Sequence, residues 1–259
     1  MEFSTIILEK KDGVARITLN RPEVLNALSP KLISELGLAV DEVERDETVN
    51  VIVISAKGKA FCAGADLKAL PTSAHEMERY TRSWHRTFNA IEDSSKPVIC
   101  AVHGMALAGG LELVNVCDIV IASEDARLGD QHSNFGLVPG GGNTQRLPRI
   151  VGSRKAKEIM LTGDWLSAAE AERIGLVNKV VPLDKLEEAV NEMVGKVAKN
   201  KSPLAAKAIK YLVNRGMQVD LHSGIELEIQ TILNYFSTED MTEGIRAFRE
   251  RRTPVFKGR

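Results

Sequence analysis

Three short, almost wholly apolar runs constrain this chain more than anything else in it: VNVIVISA at 49–56, PVICAVHG at 97–104 and CDIVIAS at 117–123. None alternates apolar and polar residues as a strand with one wet face would, so each must be covered on both faces. The segments between them are helical in pattern, and short buried strands alternating with helices define an α/β fold. Ahead of them, STIILEKKDGVARITLN sets two β-branched runs around Asp12-Gly13, a strong hairpin signal, so the chain should open with an antiparallel pair. Ser29-Pro30 then offers an N-cap and a first-turn proline, and Leu32, Leu36, Ala39, Val40 and Val43 continue at helical spacing to about Arg45.

After about residue 150 the strands nearly vanish. Ser167 and Glu170 stand at capping-box spacing with Gly175 as a stop, and Ser202-Pro203 opens a helix that should run to about Gly216. IELEIQTILNYF and DMTEGIRAFRERR carry apolar stripes that need another surface to cover them, and a neighbouring subunit would supply one.

Charge excludes some functions. Lys plus Arg number 34 against 35 Asp plus Glu, a formal charge of −1, which leaves no electrostatic footprint for nucleic acid or an anionic membrane. Any bound anion must be caught locally. Cys62, Cys100 and Cys117 are odd in number, have apolar neighbours and lack metal-ligand spacing, so they read as reduced, buried thiols. MEFSTIILEKKDG does not read as a signal peptide, and VIVIS is too short to span a bilayer, so a cytoplasmic location is expected.

The chemistry-bearing stretch is AGGLELVNVCD, Ala108 to Asp118. It sets Glu112 among Leu111, Leu113, Val114 and Val116, where a carboxylate is either a solvated surface charge or a buried working group. Two loops rich in small residues follow buried strands: KGKAFCAGADL and HGMALAGGLEL. Small residues allow backbone N–H groups close to a ligand. If Ala65 and Gly109 each offered an N–H to one oxygen they would form an oxyanion hole; otherwise the loops are two tight turns in the core. GLVPGGGNTQR lacks the Lys-Ser/Thr of a P-loop, and neither glycine loop fits the dinucleotide fingerprint, which argues against ATP and NAD.

LNRPEVLNALS, GKAFCAGADLK, AVHGMALAGGLELVNVCDIVIAS, GLVPGGGNTQRLPRIVG and LTGDWLSAAEAERIGLVNKVV together resemble the enoyl-CoA hydratase/isomerase, or crotonase, superfamily over nearly the whole chain. The resemblance implies a spiral of ββα turns over residues 1–195 and a helical C-terminal oligomerisation region at 196–259. It implies a homotrimer or a dimer of trimers, and a coenzyme A thioester as substrate with no separate cofactor and no metal. It places Ala65 and Gly109 as the oxyanion-hole amides and Glu112 as the first of two catalytic glutamates. Leu67 and Lys68 match positions at the adenine end of coenzyme A. Glu23 stands where many relatives carry lysine; Arg251 or Lys257 of the basic stretch RAFRERRTPVFKGR would compensate as a phosphate cation, or that stretch is a solvated helix end.

The chain departs from the pattern at Gly129-Asp130-Gln131-His132: the second glutamate position holds His132. Imidazole titrates near neutrality and could move the same proton, or could simply line the pocket. Asp130 and Asn134 read as loop hydrogen-bonders. Met77, Tyr80 and Trp84 fit one helical face, either roofing an acyl pocket or forming a core stripe. The resemblance favours hydration of a 2-enoyl-CoA. It leaves open an isomerase, hydrolase or decarboxylase of the same fold and, further off, a non-enzymatic CoA- or RNA-binding member.

Overall fold

The computed structural model describes residues 2–259. The opening hairpin forms as expected. β1 (Ile6–Lys11) and β2 (Val14–Leu19) pair antiparallel, joined by Asp12 at φ 51° and Gly13 at φ 80°, the left-handed pair a two-residue hairpin turn requires. α1 (Pro30–Glu44) begins where Ser29 accepts a hydrogen bond from the Leu32 N–H, and it buries Leu32, Leu36, Ala39, Val40 and Val43 against the sheet.

The middle of the chain winds in turns. β3 (Val51–Ala56) leads through Cys62 to α2 (Ala74–Glu92); β4 (Val98–Val102) leads through β5 (Met105–Leu107) to α3 (Gly109–Val114). β6 (Ile119–Ser123) and β7 (Arg127–Gly129) are followed by α4 (Asn143–Val151). After α5 (Ser153–Thr162) come β8 (Leu166–Ser167), α6 (Ala168–Arg173), β9 (Lys179–Val181) and α7 (Leu186–Ala198). Ser167 and Glu170 close the reciprocal capping box that their spacing predicts.

The larger sheet has the order β1-β2-β3-β4-β6-β9, parallel from β2 onward; the smaller has the order β5-β7-β8. Cys62 bridges Ala106 in parallel, so the segment after β3 runs beside β5 at the edge of the smaller sheet. Each turn therefore passes from the large sheet through the small one, and the residues leaving the small sheet emerge at one corner on successive turns. Ala65 leaves the first turn, Gly109 the second and Asp130 the third.

Both faces of the central strands are covered, as their unbroken apolar sequence demands. On β3, Ile52 and Ile54 join the main core with α1, α2 and α3, while Val51 and Val53 face the second core under Leu186, Ala189 and Val190 of α7. Cys62 and Cys100 are buried, but Cys117 is only half-buried, with its Sγ 3.3 Å from the Leu113 carbonyl.

The C-terminal region consists of α8 (Pro203–Gly216), α9 (Leu221–Phe236) and α10 (Glu239–Glu250). Residues 195 and 196 lie within α7, and 199–202 connect α7 to α8. Lys210 anchors α8 to the core by a 2.8 Å ion pair with Asp118 and by donating to the Ile91 and Lys96 carbonyls. The outer faces stay open: Ile209, Val213, Met217, Leu233, Phe236 and Phe248 are exposed.

Candidate active site

α3 starts where the chain leaves β5. Ala108, at φ 49°, turns it in a conformation that L-residues rarely adopt, and its N–H donates to the Gly129 carbonyl of the neighbouring turn. Gly109 and Gly110 follow because nothing larger fits. A methyl at Gly110 would strike the Cys62 backbone, and one at Gly109 would lie 2.7 and 2.8 Å from Cζ3 and Cη2 of Trp84. Gly64, at φ 106°, stands directly across, its Cβ position 3.4 Å from the Gly109 nitrogen. The two small-residue loops thus touch. Neither the Ala65 nor the Gly109 N–H donates to a protein acceptor among the described residues. Two free amides from adjoining turns can bind one oxygen.

Glu112 lies one turn into α3 and is 1% exposed, so the solvated alternative is gone. Its Oε1 accepts from the backbone N–H of Gly141 at 2.7 Å and of Asn143 at 3.2 Å. Its Oε2 is buried with no partner among the described residues. One oxygen is fixed and the other is unsatisfied. Burial pushes the Glu112 pKa above the ordinary carboxylate value, against the pull of the His132 charge and of the two amide bonds.

His132 lies close enough to Glu112 for their charges to interact. Its Nδ1 lies 2.7 Å from Oδ1 of Asp130, and its own N–H donates to that oxygen at 3.1 Å. Burial lowers the imidazole pKa, but the Asp130 bond and the Asp130 and Glu112 charges outweigh it and hold His132 above its usual range. Asp130 is completely buried. Burial raises its pKa too, yet the His132 and Asn143 bonds prevail and keep it below the ordinary value. Its Oδ2 accepts from Asn143 Nδ2 at 2.7 Å, and Asn143 Oδ1 in turn accepts from Asn115 Nδ2 at 2.7 Å. A continuous polar network therefore joins the first acid/base candidate to the second.

Several expectations change here. Besides accepting the main-chain N–H of His132 within its loop, Asp130 is bonded in the interior to the side chains of His132 and Asn143. Asn134 keeps the loop role, donating to Gln131 and to the Gly163 carbonyl. Trp84 is buried, stacked edge-on between Tyr80 and Phe88 at 5.6 Å, and covers Gly109, whereas Met77 of the same stripe is exposed. Gly141 and Asn143, which hold Glu112, were not among the sequence candidates.

The outer positions are looser. Leu67 and Lys68 lie exposed on the short turn Leu67–Ala69, capped by Asp66, whose carboxylate also pairs with Arg21 at 3.1 Å. Arg251 ends α10 in the left-handed region at φ 54°. Lys257 binds Asp240 through its N–H and Glu239 through Nζ. Both partners of Lys257 belong to the C-terminal region. Among the described residues no His, Cys, Asp and Glu cluster is arranged to hold a metal ion, and no helix is long and apolar enough to cross a membrane.

Residues 9–259 match the enoyl-CoA hydratase/isomerase family. The chain is 40% identical to the short-chain-enoyl-CoA hydratase of Clostridium acetobutylicum, over 97% of each sequence. It is also 40% identical to the crotonyl-CoA hydratase of Syntrophomonas wolfei, over 99% of each. The crystal structure of an enoyl-CoA hydratase from Bacillus anthracis superposes with a TM-score of 0.94 at 38% identity, covering 99% of this chain and all of that one. This protein belongs to the enoyl-CoA hydratase/isomerase family and has its crotonase fold.

Proposed function

We propose that the protein hydrates 2-enoyl-CoA thioesters, with Glu112 and His132 as the acid/base pair. The observation that carries the reading is the Glu112 carboxylate: buried, held by two backbone amides through Oε1, unpartnered at Oε2 among the described residues, and on the helix that begins with Gly109. The Ala65 and Gly109 N–H groups receive the thioester oxygen and stabilise the negative charge that develops there as the enolate forms.

Glu112 Oε2 takes a proton from water, whose oxygen bonds to Cβ of the substrate. The imidazolium of His132 delivers a proton from Nε2 to Cα. The proton left on Glu112 returns to His132 before the next turnover, so the enzyme ends unchanged. The raised pKa of Glu112 makes it a stronger base, and the raised pKa of His132 keeps it a proton donor to higher pH. No cofactor is needed beyond the coenzyme A carried by the substrate.

Leu67 and Lys68 are assigned to the adenine end of coenzyme A, with Arg251 and Lys257 reaching its phosphates from a neighbouring subunit. The open apolar faces of α8, α9 and α10 support a homotrimer or a dimer of trimers. The free cysteines favour the cytoplasm.

The test is a panel of acyl-CoA thioesters of varied chain length and branching, read by mass spectrometry. Gain of one water with the thioester intact supports hydration. Release of free coenzyme A, loss of CO₂, or a shifted double bond at constant mass would replace it with hydrolysis, decarboxylation or isomerisation.

A further inference from the structure

We propose that Asp130 is the positioning residue of the second acid/base group: its buried carboxylate accepts the Nδ1 proton of His132 and turns Nε2 toward the substrate, and Asn143 locks this pair to Glu112. The inference rests on His132 taking part in proton transfer, and it adds two residues that substitution of a single glutamate would not have required. A carboxylate at this position in the chain needs no orienting partner to present an oxygen. An imidazole does, because its two nitrogens differ and either can carry the proton.

The geometry supplies that partner. Asp130 Oδ1 receives both the ring Nδ1 at 2.7 Å and the main-chain N–H of His132 at 3.1 Å, so backbone and ring are fixed to one oxygen. Nε2 makes no bond to the protein among the described residues. Asp130 Oδ2 is occupied by Asn143, whose own N–H holds Glu112 Oε1. Asn143 is itself buried and oriented by Asn115, so the amide cannot rotate without losing a partner. The charged groups facing His132 are Asp130 from its own loop and Glu112 from α3.

The decisive experiment compares Asp130→Asn, His132→Gln and the double variant in enoyl-CoA hydration. If Asp130 acts through His132, Asp130→Asn lowers kcat by roughly a hundredfold or more with KM changed only a few-fold, and the alkaline limb of the pH profile moves to lower pH. The double variant is then no slower than His132→Gln. Multiplicative losses, or an unmoved alkaline limb in Asp130→Asn, overturn the positioning role while leaving His132 in the mechanism. A wild-type rate in His132→Gln overturns the acid/base reading itself, and this proposal with it. Should Asp130→Asn fail to fold, ¹⁵N chemical shifts of the neutral His132 ring in the wild-type protein decide: Nδ1–H supports the assignment, and Nε2–H overturns it.

Discussion

Gly141→Ala isolates the placement of Glu112 without removing its carboxylate. The Cβ at residue 141 would lie 2.8 Å from Glu112 Cδ, closer still to Oε2, and 3.1 Å from Phe88 Cε2. Carbon atoms rest at about 3.5–4.0 Å, so the carboxylate must retreat by roughly 1 Å. The loop cannot easily take up that motion, because the Gly141 carbonyl accepts from Arg146, which is paired with Glu92 at 2.6 Å. A displacement of about 1 Å at a reacting group costs on the order of a hundredfold in rate, or about 2.7 kcal/mol in the barrier. Overpacking of this kind also costs about 1–3 kcal/mol in stability. Gly140→Ala is the control, since a methyl there meets nothing within 4 Å among the described residues. The assay is the loss of enoyl-thioester absorbance, with coenzyme A binding measured separately. We expect kcat to fall about a hundredfold in Gly141→Ala, and both binding and the Gly140→Ala rate to hold. A Gly141→Ala rate within about threefold of wild type, or an equal loss in Gly140→Ala, would refute the reasoning.

Glu112→Gln should cut kcat by about a hundredfold or more, with KM changed little, and a near-wild-type rate would remove Glu112 from the chemistry. Gly109→Val should abolish activity and lower Tm, because the added carbons drive into Trp84; normal turnover would show that Gly109 does not bear the oxyanion. The raised His132 pKa means that the folded state binds this proton more tightly than the unfolded chain. Its stabilisation is therefore full below about pH 6.5 and is lost as pH rises through the folded value. The Tm deficit of His132→Gln should accordingly be larger at about pH 5.5 than in alkaline buffer; a deficit that grows with pH would contradict this sign. Lys210→Met should destabilise the chain by roughly 3 kcal/mol by stranding Asp118, measured by urea unfolding, and an unchanged midpoint would mean that the pair is not needed.

Local signals were legible in the sequence because the residues that satisfy them are neighbours. The Asp12-Gly13 turn, the Ser29 cap and the Ser167–Glu170 box each resolve within a few positions. Glu112 was legible in part: its apolar neighbours leave either a solvated charge or a buried working group, and the family resemblance selects the second. What holds it was not legible, since Gly141 and Asn143 lie 29 and 31 residues downstream and act through backbone N–H groups that every residue type but proline carries. Asp130 reads in the sequence as a loop hydrogen-bonder because aspartate is common in turns. The distinguishing fact, burial on the third turn of the spiral beside Asn143, comes from the winding of the sheets.

The central claim, that a water adds across an enoyl thioester under Glu112 and His132, is tested most directly in solvent labelled with both ¹⁸O and deuterium. With a short 2-enoyl-CoA, the wild-type enzyme should place ¹⁸O on Cβ and one deuterium on Cα while the thioester stays intact. Glu112→Gln and His132→Gln should slow both incorporations together. Appearance of ¹⁸O in a released carboxylate, or deuterium exchange into the acyl chain with no oxygen gained, would contradict the account.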